Sequence, residues 1–172
     1  MRTLFVAVRA LVFMTGFIAL WGWVAWSLRA FDPLIGMTLP AWTATAGAAL
    51  MIPGAVLALW CGGEFVTRGR GTPAPFDAPR EFVAAGPYRF VRNPMYLGGW
   101  VLLMGFGMYA RSVSILLLSC LLLLVAHLFV VFFEEPTLRK QFGTTYEAYC
   151  RNVRRWIPRG PRLNQPHGTQ TI

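Results

Sequence analysis

The chain contains four long stretches without a single charged residue, and this feature constrains its fold more than any other. They extend over residues 10–28, 33–63, 93–110 and 112–133. A membrane-crossing helix needs roughly 17 to 25 apolar residues, and each stretch meets or exceeds that length. Their Leu, Val, Ala and Phe runs lack the alternation of a barrel strand, so helices are the expected form in lipid. With a hydrophobic content of 56%, the sequence predicts an all-α integral membrane protein.

We expect one domain over residues 1–158 and a disordered polar tail at 159–172. The four transmembrane helices are predicted at about residues 8–29, 42–62, 94–110 and 112–134. After the last span, short cytoplasmic amphipathic helices are expected, with a break at Gly143. The basic and aromatic residues Arg154, Arg155 and Trp156 then read as an anchor at the membrane interface.

Basic residues concentrate on one side of the predicted membrane. If the four helices alternate in direction, all but two of the 16 Lys and Arg residues share a side with both termini, and only Arg29 and Arg111 lie opposite. The positive-inside rule then places both termini in the cytoplasm, and we expect the bacterial inner membrane as the location. The same rule accounts for the net charge of +9, so membrane lipids, and no nucleic acid, are the expected partners. The three cysteines lack a metal-ligand spacing, so no metal is expected.

Two polar clusters bracket the third and fourth stretches. Residues 92–96 open the third stretch, Glu134 and Glu135 close the fourth, and only Arg111 is charged in between. The chain is therefore expected to go out, turn near Arg111 and Ser112, and return, so that both clusters meet at one membrane face. Carboxylates at the edge of a bilayer are costly unless they are paired or solvated. A site for a polar ligand is therefore expected at this face.

The start of the third helix suits an anionic ligand. Asn93 is predicted to cap the first free amides, and Pro94 fits the first helical position. Unsatisfied amides and partial positive charge at such a start favour a group such as a carboxylate. The preceding connection, residues 64–92, combines Gly and Pro breakers with aromatic residues. We expect it to fold over the site.

An ordered set of motifs extends over roughly residues 80–158. It consists of Gly86-Pro87-Tyr88, Arg92-Asn93-Pro94-Met95-Tyr96, Glu134-Glu135, Phe142-Gly143, Tyr146, Tyr149 and Pro158. With a hydrophobic span in its middle, this set resembles the isoprenylcysteine carboxyl methyltransferase family, whose superfamily also includes the integral membrane phospholipid methyltransferases. The resemblance implies S-adenosylmethionine bound at the cytoplasmic face. An acceptor reached from the bilayer would be lipophilic, and a carboxylate, an amine and a thiol all remain open.

The resemblance also implies which residues contact the cofactor. They are Arg80, Glu81, Phe82, Val83, Tyr88, Arg92, Asn93, Pro94, Met95, Tyr96, Glu134 and Glu135. The chemistry of these residue types agrees with that role. The helix start suits the cofactor carboxylate, and either glutamate suits the ammonium or the ribose hydroxyls. The rings of Tyr88 and Tyr96 suit the cation or the adenine.

Two positions depart from the family pattern. Asn93 stands where the family has His, and Val130 stands where members that methylate prenylcysteine carry an Arg. Prenylcysteine is therefore not implied as the substrate. His127 is the candidate replacement, since it precedes Glu134 on the same helical face and an ionisable residue in a membrane helix is a functional candidate. A neutral His bonded to a neighbouring helix is the alternative. The catalytic candidates are thus Glu134 and His127.

Two other functions remain open. Tyr149-Cys150-Arg151 followed by Pro158 is also similar to a motif of NADPH-dependent membrane sterol-type reductases, which have a related hairpin. Asn93 and Val130 would also fit a membrane homologue that has lost its chemistry.

Overall fold

A computed structural model of the chain describes residues 2–69 and 82–158, and within these ranges it is helical. The helices are α1 (Arg2–Leu28), α2 (Asp32–Ile35), α3 (Trp42–Glu64), α4 (Pro94–Tyr109), α5 (Val113–Phe129) and α6 (Glu135–Asn152). Two 3₁₀ turns, Arg29–Phe31 and Gly86–Arg89, and two π-helical turns, Phe65–Gly69 and Val130–Glu134, complete the described elements. Within the described ranges the chain forms no strand, and an isolated bridge joins Val91 to Arg154. The prediction of an all-α protein is confirmed.

Three stretches of the described chain are long and apolar enough to cross a membrane. They are Leu11–Ile35, Trp42–Thr67 and Val113–Asn152. Helix α4 lies where the third span was predicted, but it has only 16 residues. At 1.5 Å per residue it is about 24 Å long, which is shorter than the roughly 30 Å of a bilayer core. Length and composition therefore support three crossings, and the fourth stays a prediction.

Helices α3 and α4 pack so closely that the glycines at their contact, Gly47, Gly54, Gly98 and Gly105, cannot be replaced without displacing backbone. A Cβ atom on Gly54 would lie 2.6 Å from the amide nitrogen of Leu102, and one on Gly105 would lie 2.8 Å from the carbonyl oxygen of Gly47. In lipid, small residues are the usual means by which two helix backbones approach each other. This contact fixes α4 along the length of α3.

The turn between α4 and α5 lies at Arg111 and Ser112, as predicted. Arg111 adopts a left-handed conformation with φ of +53°. The buried Ser112 hydroxyl accepts a hydrogen bond from the Ile115 amide at 3.3 Å and so caps α5. The Asp32 carboxylate accepts from the Ser114 amide at 2.9 Å. The segment after α1 is thereby joined to the start of α5, which α1 also contacts through Ala25.

The end of the last predicted span, residue 134, coincides with no break in the helical path. The backbone remains helical from α5 through the π-helical turn Val130–Glu134 into α6. Pro136 lies in the first turn of α6, where its missing N–H is tolerated, so it does not stop the helix. The helical path breaks instead at Gly143, with φ of +49° and ψ of −126°. Gly143 was the expected break, and a membrane-surface location for the two halves of α6 stays a prediction.

The packing of α4 can be tested at two adjacent glycines. A Cβ atom on Gly98 would lie 2.9 Å from the Ala58 amide nitrogen, whereas one on Gly99 would meet nothing within 4 Å. We expect Gly98→Ala to lower the melting temperature in detergent, because overpacking a close contact costs about 1 to 3 kcal/mol. Gly99→Ala should melt at or above the temperature of the unaltered protein, since alanine favours the helix. Equal melting of both variants, measured by circular dichroism, would contradict the close contact.

Candidate functional site

The two ends of the α4–α5 hairpin meet, as the sequence predicts. The Tyr96 hydroxyl, in the first turns of α4, donates a hydrogen bond to Oε2 of Glu134 at 3.0 Å. A third segment joins them, because the Arg92 amide donates to the Arg154 carbonyl at 2.9 Å beside the bridge between Val91 and Arg154. The site is therefore built from the start of α4, the π-helical turn before α6 and the segment after α6.

Glu135 is the charged centre of this assembly. Its side chain is only 4% exposed, and Arg155 binds it through two hydrogen bonds, Nε to Oε1 at 2.7 Å and Nη2 to Oε2 at 3.0 Å. Arg92 approaches Oε1 at 3.0 Å, and Arg139 approaches Oε2 at 3.6 Å. Both carboxylate oxygens are thus occupied by guanidinium groups. The implied cofactor contact at Glu135 is better explained as a structural junction, in which a buried carboxylate is stabilised by full pairing.

Glu134 differs from its neighbour. It is half-buried and accepts a hydrogen bond from Tyr96, and no cation in the described ranges pairs with it. One of its oxygens, Oε1, receives no hydrogen bond from the described residues. A buried anion of this kind is costly unless a cation or a donor completes it. Glu134 is therefore the carboxylate of the pair that is available to a ligand.

The side chain of Asn93 does not cap α4, contrary to the prediction. It is buried, and its Nδ2 donates to the Arg155 carbonyl at 3.2 Å, which turns it toward the C-terminal segment. Pro94 does occupy the first turn of α4, as predicted. The amides of Met95 and Tyr96 lie in the first turn, where helix geometry provides no intrahelical acceptor, and no side chain caps them. The side chain of Tyr96, in the same turn, binds the carboxylate of Glu134.

Arg92 holds an unsatisfied donor at the same place. Its Nη1 lies 2.9 Å from the sulfur of Cys150 and 3.0 Å from Oε1 of Glu135, and its side chain is 13% exposed. Its Nε is buried and has no hydrogen-bond partner. Buried donors in native proteins are nearly always paired, so Nε is an unfilled position beside the start of α4.

The described end of the connection between α3 and α4 folds over α6. The ring of Phe82 packs against the rings of Phe142, Tyr146 and Tyr149, with centroid separations of 5.4, 5.7 and 5.0 Å. The Tyr149 hydroxyl donates to the Tyr88 carbonyl at 2.7 Å. This agrees with the expected cover, although its central part, with Arg80 and Glu81, lies outside the described residues.

Tyr88 is a packing residue of this cover. With Val83 and Cys61 it forms a buried cluster, partly enclosed by Met95, and its ring meets the edge of Phe65 at 5.4 Å. Burial, followed by the nearby Cys61 thiol, raises the pKa of Tyr88 well above its usual value. The phenol therefore stays neutral, and its ring is packed within this buried cluster.

His127 lies beside the site without contacting Glu134. Its Nδ1 accepts a hydrogen bond from Nε1 of Trp156 at 2.9 Å, and the Trp156 ring lies 6.4 Å from that of Tyr96. A groove of about 360 Å³ runs between α4 and α5 next to this pair. It is lined by Leu97, Cys120, Leu123, Leu124, His127 and Trp156.

Sequence reasoning missed the contribution of the C-terminal segment. Arg155 and Trp156 were predicted to anchor the chain at the interface, yet they bind Glu135 and His127. Cys150 was assigned no role, yet it contacts Arg92. Only the excess of Arg over acidic residues near the site could have suggested these pairs, and it does not specify which arginine meets which glutamate.

One comparison with known proteins identifies a family. The family model of phospholipid methyltransferases matches residues 42–145, which is more than half of the chain. No curated protein matches. The matched region contains α3, the α4–α5 hairpin, Glu134 and Glu135, whereas Arg155 and Trp156 lie beyond it.

The structural role of Glu135 can be separated from ligand binding by thermal stability. We expect Glu135→Gln to destabilise the protein by about 3 kcal/mol or more, because it leaves buried guanidinium groups without their counter-ion. Glu147→Gln is the matched control, since Glu147 is exposed on the same helix. Melting in detergent without ligand measures both. A Glu135→Gln protein as stable as the Glu147→Gln protein would show that the three arginines do not depend on this carboxylate.

Proposed function

Since this chain belongs to the phospholipid methyltransferase family, which implies membrane methyltransferase activity, we propose that it transfers the methyl group of S-adenosylmethionine to a lipophilic acceptor at one membrane face. The observation that carries this proposal is the contact between Tyr96 and Glu134 across the hairpin. It joins a carboxylate that keeps one oxygen without a hydrogen bond to a residue in the first turn of α4, a helix start that no side chain caps.

The residues present fit the amino-acid part of S-adenosylmethionine. Its ammonium would bind Glu134, whose Oε1 is available, and Tyr96 would orient that carboxylate. Its carboxylate would bind the buried Nε of Arg92 and the amides of Met95 and Tyr96. When bound, the cofactor supplies an electrophilic methyl group on a sulfonium.

The remaining candidate residues have supporting roles in this proposal. Asn93 and Pro94 hold the start of α4, and Phe82, Val83 and Tyr88 cover the site and exclude water. Glu135 holds Arg92 and Arg155 in place. Arg80 and Glu81 remain proposed cofactor contacts on the strength of the family pattern alone. In a displacement reaction this alignment and this exclusion of water are the main tasks of the protein.

The groove between α4 and α5 supports a lipophilic acceptor. Leu97, Leu123 and Leu124 give it an apolar lining, and Trp156 closes its end toward Tyr96. An acyl or prenyl chain would lie here with its reactive group near the cofactor site. A carboxylate or a thiolate acceptor arrives ready to react, whereas an amine must lose a proton.

The hydrogen bond at His127 limits its chemical role. Because Nδ1 accepts from Trp156, a neutral ring carries its proton on Nε2. The lone pair that a general base would use is therefore engaged. We propose that His127 positions Trp156 over the groove, and that Glu134 is the catalytic candidate that touches the cofactor.

We further propose four membrane crossings with both termini in the cytoplasm. Arg29 and Arg111 line one cavity at the turn between α4 and α5, while Arg92, Arg139 and Arg155 gather at the other end of the hairpin. This separation supports α4 as the fourth crossing despite its length, and the basic excess assigns the gathered arginines to the cytoplasmic side. The bacterial inner membrane is the corresponding location.

Cysteine labelling tests this arrangement. Thr38 lines the cavity with Arg111, and Glu147 is exposed on α6. We expect a membrane-impermeant maleimide to label Thr38→Cys in intact cells and Glu147→Cys only after permeabilisation, each compared with the unaltered protein. Labelling of Glu147→Cys but not of Thr38→Cys in intact cells would show the opposite orientation. Labelling of both variants in intact cells would contradict the fourth crossing.

Binding of the demethylated cofactor tests the assignment of Glu134. We expect S-adenosylhomocysteine to bind the purified protein saturably in calorimetry. We expect Glu134→Gln to weaken binding about tenfold or more, because a charge-assisted hydrogen bond to the ammonium is lost. Tyr96→Phe keeps the carboxylate but loses its orientation and should cause a smaller loss. Glu147→Gln should bind like the unaltered protein.

Turnover separates the proposed activity from its rivals. Membranes supplied with methyl-labelled cofactor should accumulate label in the fraction extracted by organic solvent, and Glu134→Gln should abolish this. Saturable cofactor binding without any transfer would favour a non-catalytic homologue. Tight binding of NADPH in place of S-adenosylhomocysteine would favour the reductase.

A further inference from the structure

A second cavity lies at the opposite end of the hairpin from the candidate site. Its volume is about 740 Å³. The residues around it are Trp26, Ser27, Arg29, Ala30, Asp32, Pro33, Gly36, Met37, Thr38 and Arg111. Arg29 and Arg111 are the two basic residues that the sequence places away from all the others. Basic residues on that side work against the positive-inside rule, and both converge on this one cavity.

Arg111 is held with its terminal nitrogens available. Its backbone adopts the left-handed conformation with φ of +53°, which is uncommon for a residue with a side chain. Its Nε donates to the Leu39 carbonyl at 2.9 Å. That single bond fixes the guanidinium, and its other two nitrogens make no hydrogen bond to the described residues while the side chain is exposed.

Arg29 is held by a different contact with the same result. Its guanidinium lies over the ring of Trp26, 4.2 Å from the centroid. Stacking uses the face of the guanidinium and leaves its N–H donors, which lie in its plane, free for an anion. The cavity therefore presents two fixed cations, Arg29 with its side-chain N–H groups and Arg111 with its two terminal nitrogens available to an anion.

The Asp32 carboxylate offsets part of this charge. It attracts Arg29, and its Oδ1 accepts from the Ser114 amide at 2.9 Å, at the start of α5. This carboxylate thus also stabilises the positive end of α5. Two arginines against one carboxylate leave the described lining of the cavity with a net positive charge, which favours an anionic ligand with several oxygens, such as a phosphate.

The surface around the cavity indicates that the phosphate belongs to a lipid. Leu34 is 82% exposed, Met37 is 63% exposed and Phe31 is 53% exposed. Large apolar side chains beside exposed Trp26 form the surface that is typical of the boundary between head groups and hydrocarbon. We propose that this cavity binds the phosphate group of a membrane phospholipid, in the leaflet opposite the candidate methyl-transfer site. This proposal does not depend on the methyl transfer.

Lipid retention tests the proposal. The full chain in detergent is incubated separately with dioctanoyl phosphatidylglycerol, with dioctanoylglycerol and with sodium phosphate, and bound molecules are counted by native mass spectrometry. We expect retention of the phospholipid but not of dioctanoylglycerol, which lacks the phosphate. Arg29→Gln combined with Arg111→Gln should weaken phospholipid binding about tenfold or more. Lys140→Gln combined with Arg151→Gln is the control, since it removes the same charge from exposed positions at the other end.

Every outcome decides the proposal. Equal losses in the two double variants, or equal retention of dioctanoylglycerol, would overturn the phosphate site. Displacement of the phospholipid by millimolar sodium phosphate would show a site for free anions and overturn the lipid assignment. If the double variant does not fold, Arg111→Lys decides, because it keeps the charge but loses the planar donor edge; undiminished binding by this variant would overturn the role of the guanidinium. Binding of S-adenosylhomocysteine should be unchanged in all three variants, which keeps this test separate from that of the proposed activity.

Discussion

The structure of the candidate site depends on one buried carboxylate. Glu135 joins Arg92 before α4, Arg139 in α6 and Arg155 in the C-terminal segment. Without it, Arg92, whose side chain is 13% exposed, would lose its buried counter-ion, and Arg155 would lose the group that joins the C-terminal segment to α6. The neighbouring Glu134 pairs with no cation of the described residues and keeps an oxygen without a hydrogen bond from them. Adjacent residues of the same type thus differ in their surroundings: Glu135 joins segments of the chain, whereas Glu134 is the proposed ligand contact.

The sequence predicts the hairpin well, because its evidence is local and strong. Charge-free runs of sufficient length predict the helices. The turn at Arg111 and Ser112 reverses the direction of the chain, so α5 runs back along α4 and brings Glu134 to Tyr96. The family resemblance, carried by the polar clusters at its two ends, is confirmed by the family model. These inferences hold because, in lipid, backbone hydrogen bonding leaves few alternatives to a helix.

The errors concern side chains whose partners are far away in the sequence. Asn93 is a good helix cap by type, but its Nδ2 donates to the Arg155 carbonyl, and the side chain makes no capping hydrogen bond. The π-helical turn Val130–Glu134, which carries the chain into α6 without a break, has no counterpart in the predicted helices. The pairing of Glu135 with Arg155, and of His127 with Trp156, depends on how the C-terminal segment folds back. The hydrophobic periodicity of the sequence does not predict that path.

The return of the C-terminal segment has a consequence for how the protein is made. The hairpin leaves the ribosome before the C-terminal segment does. Glu135 and His127 are therefore translated before Arg155 and Trp156, the residues that they contact. Until this segment emerges, Val91 lacks its bridge to Arg154, and the Trp156 ring is not yet beside Tyr96. The contacts of the last described residues are therefore the last contacts of the site that can form during translation. A nascent chain that stalls after α6 would be inserted in the bilayer but would not have an organised pocket.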